Sequence, residues 1–131
     1  VPREGQELGS DAFRLRFVRI DDELLEMEAS YAGDGRLPPE HLHPNQVERF
    51  EVLEGAVRTI VDGVERRYET GDRFDVPAGT RHQMTGDGPA RMHWEVRPPL
   101  RTADFFEQLL SGNPGPDLLA EFSKEIQFTP A

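Results

Sequence analysis

The chain has 131 residues, with 25 acidic against 15 basic side chains (net charge −10), 36% hydrophobic residues and no cysteine. This length suits one domain that buries a real core, and the missing cysteines exclude a disulfide framework, thiolate metal sites and cysteine nucleophiles. The acidic balance argues against nucleic-acid binding, which needs a basic footprint. No uninterrupted apolar run exceeds three residues, so neither a membrane span nor a signal-peptide core is expected. The absence of a leader and of cysteine points to the cytoplasm.

Residues 1–10 are polar with little pattern and are expected to form an arm. From Ala12 the period is two: Phe13, Leu15 and Phe17 alternate with Arg14, Arg16 and Val18, as in a half-buried strand. Asp21-Asp22 makes a turn, and Leu25, Met27, Ala29 and Tyr31 mark a second strand with a polar outer face. Gly33-Asp34-Gly35 breaks it, and Pro38-Pro39 keeps the following stretch extended. Val47 to Leu53 is a further strand. Ala56 to Val61 and Val64 to Tyr68 flank Asp62-Gly63, a strong hairpin signal. Arg73 to Val76, a segment around His82, and a strand carrying Met92, Trp94 and Val96 complete about eight short strands. That count and spacing fit a sandwich or small barrel over residues 11–100.

After Pro98-Pro99 the period changes. Thr102 is expected to cap a helix bearing Phe105, Phe106, Leu109 and Leu110 and ended by Gly112. Asn113-Pro114-Gly115 reads as a loop, Pro116 as a first helical residue, and Leu118, Leu119, Phe122 and Ile126 as a second amphipathic stripe. Residues 101–131 are therefore expected to be two short helices packed on the barrel or on a partner subunit.

Three of the four histidines fall at informative places. His41 and His43 are separated by one residue, so in extended chain both point the same way and can grip one ion. Glu48 shares a strand face with Phe50 and Val52, and His82 comes from a distant strand. Three imidazoles and a carboxylate suit one divalent transition metal: Fe, Mn, Ni, Co, Cu or Zn. Neutral imidazoles and one carboxylate leave such an ion with a net positive charge and open coordination positions. The fourth histidine, His93, alternates with Met92 and Trp94 and is expected to face outward.

Glycines and prolines frame these residues. Gly35, five residues, His41-Leu42-His43, four residues, Glu48, six residues and Gly55 resembles the first signature of the cupin superfamily. Gly71, five residues, Pro77-Ala78-Gly79, two residues and His82 resembles the second, although Gly86 stands where that signature usually ends in Asn. The chain as a whole resembles small single-domain cupins of the quercetin-dioxygenase-like group. The resemblance implies an all-β fold, a double-stranded β-helix or jelly-roll-like barrel, with His41, His43, Glu48 and His82 converging on a metal ion inside it. It also implies a homodimer.

Strand parity nominates Met27, Tyr31, Phe50, Met84, Met92 and Trp94 as inward residues lining a pocket, with Val52 and Val96 on the same faces. Such a lining favours a small, largely apolar organic substrate. Gln46 and Arg58 are candidates for the mouth. The function expected is a metal-dependent oxygenase-type enzyme in which Glu48 is both ligand and candidate base. The alternatives are a non-catalytic metal- or ligand-binding module and a metal-dependent isomerase or lyase.

Overall fold

The computed structural model describes residues 1–112 and 114–129, so Asn113 of the expected loop lies outside the described residues. In chain order the first strands are β1 (Glu7–Gly9), β2 (Phe13–Ile20), β3 (Leu25–Tyr31), β4 (His41–Leu42) and β5 (Val47–Glu54). They are followed by β6 (Ala56–Val61), β7 (Val64–Glu69), β8 (Arg73–Val76), β9 (His82–Gly86) and β10 (Ala90–Arg97). Helices α1 (Thr102–Leu110) and α2 (Leu118–Glu121) and a last strand, β11 (Gln127–Phe128), end the described chain.

Two sheets make the barrel. One has the order β1-β2-β3-β10-β5-β8 and the other β11-β4-β9-β6-β7. Period-two burial holds where it is expected. In β5, Glu48, Phe50 and Val52 are buried while Val47 and Arg49 are exposed. In β10, Met92, Trp94 and Val96 are buried against the opposite sheet. The two inner faces therefore supply one shared core. The outer face of the larger sheet carries ion pairs such as Arg16–Glu28 and Arg49–Asp75. His93 faces outward there, 3.3 Å from Glu26, as its parity requires.

Turn chemistry explains the corners. Asp62 and Gly63 both have positive φ (50° and 78°), the geometry of a two-residue hairpin whose twist matches its strands. Gly55 (φ 74°) has a second reason to lack a side chain: a Cβ there would fall 2.2 Å from the Pro89 carbonyl oxygen.

Three elements differ from expectation. The arm holds β1, whose Glu7, Leu8 and Gly9 pair with Arg16, Leu15 and Arg14, so part of it closes onto the sheet. Thr102 is the first helical residue and no cap; Arg101 precedes the helix, and the Thr102 hydroxyl instead accepts from Gln46 at 2.7 Å. In the second stripe, Leu118, Phe122 and Ile126 are buried but Leu119 is 50% exposed. Only four residues are helical, and Pro116 lies in the turn before Asp117, which precedes them. The chain unwinds after Glu121 and runs back as β11 beside β4. No helix among the described residues is long and apolar enough to cross a membrane.

Candidate metal centre

The site forms between the sheets. His41 stands directly opposite His82 in the β4–β9 ladder, with ring centroids 4.4 Å apart. His43, just beyond β4, turns the same way as His41, and their rings meet edge-on at 5.2 Å. One ligand nitrogen from each of the three histidines lies within 4.8 Å of the others. Glu48 reaches across from β5, placing Oε1 3.2 Å from His43 Nε2 and 3.1 Å from His82 Nε2.

Every Nδ1 of the cluster meets a backbone carbonyl: His41 that of Pro39 (3.0 Å), His43 that of Glu125 (2.8 Å) and His82 that of Thr80 (2.8 Å). A carbonyl only accepts, so each Nδ1 carries a proton, and a ring that is neutral presents its lone pair at Nε2. His43 Nε2 and Glu48 Oε1 are buried and make no hydrogen bond despite their proximity. Buried polar atoms without partners are costly. Lone pairs and an oxygen anion aimed at one point fit a cation, so the residues present suit a divalent transition metal.

Charge in the ion-free cluster follows from burial and proximity. Burial, reinforced by His82, pushes His41 down to about 4, so it is neutral near neutral pH. Burial pushes the Glu48 carboxyl up, but His43, His82 and His41 together outweigh it and hold the group below the ordinary carboxylate range. Burial lowers His82 too, yet the adjacent Glu48 carboxylate, with the Thr80 carbonyl and Glu40, raises it overall.

The second carboxylate oxygen of Glu48 is also accounted for. Trp94 donates its indole N–H to Oε2 at 2.8 Å, leaving Oε1 aimed at the histidines. Above the cluster opens a cavity of about 520 Å³.

A cupin-domain family model matches residues 18–96, the stretch that holds all four of these side chains. The chain belongs to the cupin family. Among solved structures it is similar to an RmlC-like cupin from Shewanella frigidimarina (19% identity, TM-score 0.66, covering 75% of this chain and 87% of that one). It is also similar to KdgF from Halomonas sp. (21% identity, TM-score 0.63, covering 68% and 81%). A third is Pac13, a Streptomyces nucleoside dehydratase (18% identity, TM-score 0.62, covering 72% and 77%). These likenesses show the shared fold. Among curated proteins, none matches the sequence.

The cavity of this cupin tests the pocket residues nominated from parity. Tyr31, Phe50, Met84 and Trp94 line it. Met27 and Met92 do not; both are fully buried in the core, as are Val52 and Val96. Parity fixes the face of a strand but not the depth along the barrel. Met27 and Met92 sit on the inner face but are enclosed by the packed core; Met27 lies directly opposite Trp94, which does line the cavity. Gln46 is 1% exposed and ties the start of α1 to β5 through Pro98, Pro99 and Thr102. Arg58 pairs with Glu65 and the Gly35 carbonyl, and neither Gln46 nor Arg58 lines the cavity.

Much of the wall comes from residues that strand parity does not reach. Phe105, Phe106, Leu109 and Leu110 of α1 cover one side, and Ile126 and Phe128 another. The amphipathic period of α1 was the available signal, since its apolar stripe needs a surface to cover. Gly86, the departure from the second cupin signature, also has a role at this wall. A Cβ at that position would lie 2.8 Å from Tyr31 Cβ and 2.7 Å from the Gly88 carbonyl oxygen, so the missing side chain makes room for Tyr31. Burial and then the charge of Glu48 raise the Tyr31 pKa and keep its hydroxyl protonated.

Proposed function

We propose that this cupin is a metal-dependent enzyme of the oxygenase type acting on a small, largely apolar organic molecule. The observation that carries the reading is a 520 Å³ cavity whose walls are mostly aromatic and aliphatic and whose floor is His41, His43, Glu48 and His82. Those four residues would hold one divalent transition ion. When bound, the ion supplies a Lewis-acid and, for iron, manganese, nickel or copper, redox-active centre facing the cavity.

The protein's own groups define the rest. The apolar wall excludes water and holds a flat or hydrophobic body over the floor. A chelating enol, phenol or carboxylate complements the net positive charge that four such ligands leave on a divalent ion. Because Trp94 occupies Oε2, Glu48 has Oε1 alone to offer as ligand or as base. Neutral His41 competes for no substrate proton near neutral pH.

A second reading, a metal-dependent lyase or isomerase, is favoured by Tyr31, whose protonated hydroxyl lies in the same cavity as Glu48 and feels its charge. A phenol hydroxyl and a carboxylate lining one cavity make an acid–base pair that needs no oxidant. Pac13, a nucleoside dehydratase, shares the fold. The expected homodimer stays part of the proposal: β1, β7, β8 and β11 are the edge strands of the two sheets, and light scattering measures the assembly directly.

The test loads the protein separately with Fe²⁺, Mn²⁺ and Ni²⁺ and follows oxygen uptake with flavonols and related phenols. Oxygen-dependent turnover supports the first reading. Product formed without oxygen supports the second, and thermal stabilisation by these compounds without turnover would leave only a binding module.

A further inference from the structure

Two of the three histidines are held by their own loops. The Nδ1 of His41 and of His82 each meets a carbonyl two residues earlier, on Pro39 and Thr80. His43 differs, because its acceptor is the carbonyl of Glu125, 82 residues away. The same short stretch makes three further attachments to the histidine loop. Asn45 donates to the Lys124 carbonyl at 3.0 Å, and the Thr129 N–H donates to the Glu40 carbonyl at 3.0 Å. In the β11–β4 ladder Phe128 lies opposite His41 and Gln127 opposite Leu42. The Phe128 ring also packs 5.8 Å from that of His41.

We infer that residues 124–129 form a clasp whose closure on residues 40–45 and metal binding by the histidines promote each other. The inference rests on the metal-binding reading above. A histidine ligates through Nε2 in a fixed direction only while its Nδ1–H has an acceptor. When the clasp lifts, His43 loses that acceptor, its tautomer and ring angle are freed, and His41 loses the strand that orients its backbone. In the other direction, an ion on Nε2 withdraws charge from the ring and makes Nδ1–H a stronger donor to Glu125. The ion thus tightens a segment it never touches. Coupling of this kind is reciprocal by thermodynamic necessity. The clasp is also thin: β11 is two residues long and lies at the edge of its sheet, where local opening costs less than global unfolding.

The chain's lack of cysteine makes a direct test available. Leu42 and Gln127 are opposed in the ladder and neither lines the cavity. Opposed residues of an antiparallel pair sit about 4.5–5.5 Å apart at Cα, within disulfide range. The double variant Leu42→Cys, Gln127→Cys, oxidised, is compared with Leu42→Ser, Gln127→Ser, which cannot cross-link. Each is loaded with Co²⁺, and loss of the ion to excess EDTA is followed by visible absorption. The cross-linked protein is expected to release cobalt at least about tenfold more slowly, the scale on which outer-shell partners act. In the unaltered chain, adding Co²⁺ is expected to slow amide hydrogen exchange across residues 124–129. Equal release rates together with unchanged exchange in a protein that does bind cobalt would overturn the clasp and spare the metal site. Failure of the unaltered chain to bind cobalt would overturn the metal reading, and the clasp with it.

Discussion

Trp94 and Glu48 lie diagonally across the β10–β5 ladder, and the indole N–H of Trp94 donates to Glu48 Oε2 at 2.8 Å. This bond divides the labour of the carboxylate. One oxygen is committed to the scaffold, and the other lies 3.2 Å from His43 Nε2 and 3.1 Å from His82 Nε2. Trp94→Phe keeps most of the aromatic packing but strands a buried carboxylate oxygen. Leaving such a group unsatisfied costs about 1–3 kcal/mol, and losing an outer-shell partner lowers metal affinity about 10–100-fold. Chelator competition on the purified variant measures the second effect. An affinity within twofold of the parent would reduce Trp94 to a packing residue.

Gly86 tests the other side of the cavity. Its absent side chain accommodates Tyr31, and a Cβ would also meet the Gly88 backbone, which cannot yield as a flexible side chain would. Gly86→Ala is therefore expected to lower stability by about 1–3 kcal/mol, the usual range for overpacking. Thermal denaturation by circular dichroism gives the value. A neutral result would mean that strand β9 shifts freely at this point and that Tyr31 is not held by it.

The ion-free protein should be most stable near the ordinary histidine pKa of 6.5 and lose stability on either side of it. His41 is depressed to about 4. Its contribution is complete above 6.5, the unfolded value, and is lost as pH falls through 4, because protons bind the unfolded chain first. His82 is raised, so its contribution is complete below 6.5 and fades as pH rises through its higher folded value. A pH series of melting temperatures in EDTA reads both limbs. A monotonic rise from pH 4 to 9 would contradict the opposite signs assigned to these two rings.

The clustered side chains were legible for two reasons. His41 and His43 share a face through the period of two, and the resemblance to the two cupin signatures joins Glu48 and the distant His82 to them. Eight strands were legible from the period of two. The short strands β1, β4 and β11 were not, since two or three residues carry no period. The Glu125 carbonyl that orients His43 was beyond reach, because a backbone acceptor leaves no mark on residue identity. Met27 and Met92 show the corresponding limit for pockets: alternation assigns a side chain to the barrel interior, and only neighbouring volumes decide whether it meets a cavity or a packed core.

The cluster also makes a prediction in which burial and pairing are separated. Burial pushes the His82 pKa down, and Glu48, whose Oε1 lies 3.1 Å away, leads the Thr80 carbonyl and Glu40 in raising it overall. Glu48→Gln conserves shape while removing the negative charge. Burial should then prevail, and His82 in the ion-free variant should titrate below 6.5 instead of above it. Imidazole proton resonances followed by NMR across pH 4–9 report the change residue by residue. Metal affinity should fall as well, because three neutral nitrogens hold a divalent ion without a compensating anion. His43→Ala supplies the contrast: it should remove most bound ion, since it takes away a nitrogen the cluster aims inward. If His82 instead kept its raised pKa in Glu48→Gln, its partner would have to be some other group, and Glu48 would lose its place at the centre of the site.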